Sequence, residues 1–94
     1  MYDIKMTAKF LLAKTAEEYR LALLAAQEGD EGAKEDCEDL EKFFKSSYAR
    51  RLAAAAGSKS SPANIIRAFR SVPADTIPSV YELLEKSLGV YSVS

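Results

Sequence analysis

The sequence predicts an all-α fold: a long antiparallel helical hairpin with two shorter C-terminal helices packed on it. Three observations predict it. Apolar residues recur at alternating steps of four and three along two long stretches, which stacks them on one helix face. Only a few residues around Gly29 and Asp30 join the stretches, so the second must return antiparallel to the first. The 94 residues are 48% apolar and 29% charged, ordinary for a folded chain and enough for a single small domain with one modest core.

The first helix is expected from Thr7 to Glu28, with Ala8, Leu12, Ala16, Tyr19, Leu23 and Ala26 as its seam. Leu11, Ala22 and Leu24 widen that seam, so the helix is flanked on more than one side. Gly29 supplies a left-handed stop and Asp30 an N-cap. The second helix is expected from Glu31 to Ala56, unbroken, on a seam of Ala33, Cys37, Leu40, Phe44, Tyr48 (or Ser47), Leu52 and Ala55. Gly57 ends it. Ser61 followed by Pro62 reads as an N-cap with proline at the first helical position, opening a third helix to Ser71. Its inward residues are Ile65, Ile66, Phe69 and Val72. Thr76 or Ser79 caps a fourth helix to Leu88, where Ser79 and Glu82 fit a capping box. Ile77, Val80, Tyr81, Leu84 and Leu88 form its seam, and Gly89 stops it. The two short helices should lie across the open end of the hairpin.

Charge is balanced overall but divided along the chain. There are 13 basic and 14 acidic residues, a net of −1, which argues against binding nucleic acid by bulk charge. From Glu28 to Glu41 the net is −7, and from Lys42 to Arg70 it is +7. One acidic and one basic pole follow. Five charges between Met6 and Ala26 exclude a spanning helix, which needs about 20 mainly apolar residues. The same charges break any signal-peptide core. A cytoplasmic protein without membrane contact is expected.

The chemistry-bearing residues are few. Histidine is absent, which removes the commonest general base and zinc ligand. Cys37, the single cysteine, can form no internal disulfide, and its neighbours Glu35, Asp36, Glu38 and Asp39 would raise its pKa. It sits on the apolar seam, as a small buried hydrophobe does. Those same acids lie along a helix, where successive side chains diverge, and calcium loops need a turning backbone. No metal or cofactor is expected, and no catalysis. The cluster instead reads as an acidic docking surface or a solvated face that complements the helix dipole.

The basic run surrounds the junction of the second and third helices. The stretch from Leu52 to Arg67 resembles the helix-turn-helix of DNA-binding repressors, with Ala53 as the small crossing residue, Gly57 as the turn glycine and Ala63 and Ile66 as inward positions. It departs from the pattern at Ser58, where an apolar residue is usual, and at Pro62. The resemblance implies that Ser60, Ser61, Asn64 and Arg67 face bases while Arg50, Arg51, Lys59 and Arg70 contact phosphates. Against it stands a solvated helix face closing a small core. Phe43 alone among the central aromatics lacks a seat on the seam, and marks a second packing or self-association face. The function expected first is a non-enzymatic interaction module that binds a protein partner or itself through the hairpin, of the kind small inhibitors and adaptors represent. The alternative is a small DNA-binding regulator.

Overall fold

A computed structural model describes residues 3–58, 60–73 and 79–89, and every regular element among them is helical. Helix α1 spans Ile4–Gln27, one turn earlier than its seam suggests. The cause is Asp3, whose carboxylate accepts from the Met6 amide at 3.3 Å and whose carbonyl accepts from Thr7. At the far end Gly29, at φ +97°, closes a Schellman turn: its amide donates to Ala26 and that of Asp30 to Ala25. Asp30 then caps α2, Glu31–Phe44, by accepting from Ala33 at 3.1 Å.

The predicted second helix is two helices. Helix α2 ends at Phe44, and α3 spans Ser47–Ala55. Ser46 serves both ends of the break. Its hydroxyl donates to the Phe43 carbonyl at 2.6 Å and accepts from the Ala49 amide at 3.2 Å. The break slips the seam by one residue. Ala49, Ala53 and Ala56 are buried where Tyr48, Leu52 and Ala55 were expected, and Tyr48 is turned out, 56% exposed. A second Schellman turn ends α3 around Gly57, φ +90°, with Ser58 donating to Ala53.

Helix α4 spans Asn64–Arg70. Ser61 does not cap it directly. It accepts from the Ala63 amide and opens a tighter turn in which Asn64, Ile65 and Ile66 donate to the carbonyls three residues back. Ile65 and Phe69 are fully buried, whereas Ile66 is half-buried and Val72 exposed. Helix α5 spans Val80–Leu88, and Ser79 caps it by accepting from the Tyr81 amide at 3.1 Å. Its buried residues are Val80, Leu83, Leu84 and Leu88, with Tyr81 outside. Thr76 and Ile77 lie outside the described residues.

Helix α1 is the centre of the packing, with α2, α3 and α5 against it, while α4 lies on α5 and α2. The short helices therefore pack along the hairpin, the end of α4 reaching Leu23, Ala26 and Lys34 near the Gly29 turn rather than lying across the open end. Phe69 of α4 stacks on Tyr19 at 5.6 Å between ring centroids, and Phe44 meets the same ring edge-on at 5.7 Å. Each ring buries its full area, and an aromatic pair adds about 0.5–1.5 kcal/mol beyond that burial. Leu12, Ile65, Leu84 and Leu88 complete the core. Leu40 only borders it, half-buried.

Candidate functional site

The charged poles separate as the hairpin requires. Glu35, Asp36, Glu38 and Asp39 are all exposed on the half of α2 nearest the Gly29 turn. Arg50 and Arg51 are exposed on α3, at the opposite end, where Gly57 approaches Lys5 near the start of α1. Glu35, Asp36 and Asp39 line a groove between α1 and α2 with Glu18 and Asp30, over a floor that includes Leu21, Ala25 and Leu40. Glu38 faces the other side, toward α4. Among the described residues no group of three or more acidic or cysteine side chains is arranged to hold a metal ion.

The residues expected at a nucleic-acid face do not stay together. Ser60, Asn64 and Arg67 line one cleft with Leu83, Lys86 and Ser87 of α5. Lys59 lies outside the described residues. Arg70 stays half in solvent but is turned toward α2, where its Nε donates to Glu41 Oε2 at 2.6 Å. The motif positions split likewise. Ala53 is buried and Gly57 is left-handed, as a helix-turn-helix requires. Yet α4 begins only at Asn64 and buries Ile65 and Phe69 rather than Ala63 and Ile66. Its phase is set by Tyr19 and the core, and it lies flat against the body.

Glu41 is the residue that sequence reasoning missed. One carboxylate oxygen accepts both from the Tyr19 hydroxyl, at 2.7 Å, and from Arg70, tying α1, α2 and α4 at one point. Burial and then the Glu41 hydrogen bond push the Tyr19 phenol well above its ordinary range. The Glu41 hydrogen bond likewise raises the Arg70 guanidinium. The signal was present in part: Glu41 follows Cys37 by four and precedes Phe44 by three, which seats it at the edge of the seam. Cys37 is buried beside this knot, and loss of water pushes its thiol up.

The more open surface is apolar. Along the outward side of α1, Met6 is 61%, Phe10 63% and Leu21 52% exposed. Met6 and Phe10 are one turn apart, and Leu21 follows Phe10 by three turns. Phe10 lines a groove toward α5 with Ala13, Val80 and Tyr81, the last also about half exposed. No described helix is long and apolar enough to cross a membrane. No protein-family model matches the chain, and no curated protein or solved structure matches it.

Proposed function

We propose that the protein is a non-enzymatic interaction module of the cytoplasm that binds a protein partner through the outward side of α1. One observation carries this reading: Met6, Phe10 and Leu21 stand exposed on one helix, with Tyr81 of α5 beside Phe10. A small soluble chain gains nothing in folding from large apolar side chains left in water, and grouped exposure marks contact surfaces. A photo-crosslinking side chain at position 10 or 21, in living cells, tests it. A discrete protein adduct is expected there and not from position 86, which lies in the α4–α5 cleft. Equal or absent adducts at all three positions overturn the reading.

The DNA-binding alternative has buried Ala53, left-handed Gly57 and exposed Arg50, Arg51 and Arg67 in its favour. The flat seat of α4 and the engagement of Arg70 by Glu41 weigh against it. Duplex binding that falls steeply with salt would restore it, because each neutralised phosphate releases counterions.

A further inference from the structure

The slip at Ser46 creates a second surface, distinct from the outward side of α1. On α2, Asp36, Asp39, Leu40 and Phe43 follow one another at steps of three, one and three, so they share a face. Asp36, Asp39 and Leu40 line the open α1–α2 groove, which places that face toward solvent. On α3, Tyr48 and Arg51 are likewise one turn apart. The rings of Phe43 and Tyr48 meet at 5.9 Å across the break and join the two faces into one strip. Read from the Gly29 turn toward Gly57, the strip is acidic, then aromatic, then basic.

Such a strip is complementary to itself when reversed. A two-fold axis beside the Phe43–Tyr48 pair brings the Asp36–Asp39 end of one copy against the Arg51 end of the other, twice over. We propose that a second copy of this chain docks on this strip, giving an isologous antiparallel dimer with Phe43 and Tyr48 at its centre. Three observations support that occupant over another protein. The opposed charges lie on the same surface, and Asp36, Asp39 and Arg51 enter no ion pair among the described residues. Tyr48 is an aromatic ring more than half exposed at the point the axis must pass. The aromatic centre and charged ends repeat the usual division of an interface into an apolar middle and a polar rim. Leu21 borders the acidic end of the strip in the α1–α2 groove, but Met6 and Phe10 of both copies lie away from it, so position 10 separates the dimer from the α1 reading.

Sedimentation of the full chain across micromolar to millimolar concentrations is the test. A monomer–dimer equilibrium is expected, weakening as salt rises from about 50 to about 500 mM and shortens the reach of the rim charges. Tyr48→Asp should weaken it about tenfold or more, and Phe10→Asp should leave it unchanged. Asp36→Lys and Arg51→Glu should each give monomers with unchanged helical circular dichroism, which separates lost pairing from lost folding. Mixed in equal amounts, those two variants should form a heterodimer, because every reversed charge then meets its opposite. The proposal is overturned by a monomer under all conditions, by a dimer that Tyr48→Asp leaves intact, or by variants that stay monomeric when mixed.

Discussion

Two adjacent aromatic residues reach different fates. Phe44 enters the buried trio with Tyr19 and Phe69, while Phe43, half-buried with one side against the Phe44 ring, meets the exposed Tyr48. Composition does not distinguish them. The difference is phase: one residue of rotation separates Phe43 from Phe44, and the Ser46 break adds one more residue before Tyr48. Had α2 continued through Ser47, Tyr48 would have stacked above Phe44 in the core, four residues on. The hydroxyl of Ser46 ends one helix, starts the next, and sends an aromatic ring to water. Burial here follows from where a helix stops, as much as from what it contains.

Predictions that break the contrast come from truncating its members. Phe69→Ala or Phe44→Ala should cost about 3–5 kcal/mol through the cavity left behind. For a chain of this size that lowers the melting temperature by more than about 12 °C, read by thermal circular dichroism. Glu41→Ala should follow. It strips the Tyr19 hydroxyl and Arg70 of their shared acceptor, at about 2 kcal/mol, because hydrogen bonds to charged groups are the stronger ones. Arg70→Ala should cost less, since that side chain is half in solvent.

The Tyr19 shift gives the same knot a pH signature. Its folded pKa is raised, so its contribution is complete below the unfolded value of about 10 and is lost as pH rises beyond it. Wild type should therefore lose melting temperature above that pH faster than Tyr19→Phe does. Parallel loss in both would place the knot elsewhere. Ser46→Ala removes the cap and should cost about 1 kcal/mol. The smallest effect sharpens the contrast: Tyr48→Ser should change monomer stability by no more than about 0.5 kcal/mol, the range of ordinary surface substitutions. A core-sized loss would return Tyr48 to the seam.

What was legible in the sequence was local. Gly29 with Asp30, Gly57 and Ser79 mark helix ends through their own backbone or side-chain chemistry, and those boundaries agree with the structure to within a few residues. The apolar seam of α1 was legible because twenty residues repeat it. The break at Ser46 was not, since Lys45-Ser46-Ser47 contains neither glycine nor proline, and the alanine-rich run after it supports either phase. Ala49, Ala53 and Ala56 repeat the same four-and-three spacing as Tyr48, Leu52 and Ala55. The Glu41–Arg70 pair was out of reach for another reason: 29 residues separate the partners, and no periodicity links them. Of the surface residues, exposure of the acidic and basic groups was foreseeable, but the turn of Arg70 toward α2 depended on that pairing.

Cys37 is buried beside α4, in the cleft it shares with Leu23 and Phe69, where loss of water pushes its thiol up. A thiol reagent is expected to reach it when α4 moves away. The rate of modification under native conditions should then serve as a clock for departure of the short helix from the hairpin, a local opening of the kind that precedes global unfolding. Because the chain contains no other cysteine, the signal arises from one place. Loosening the Glu41 knot should speed that clock before it changes the helix content.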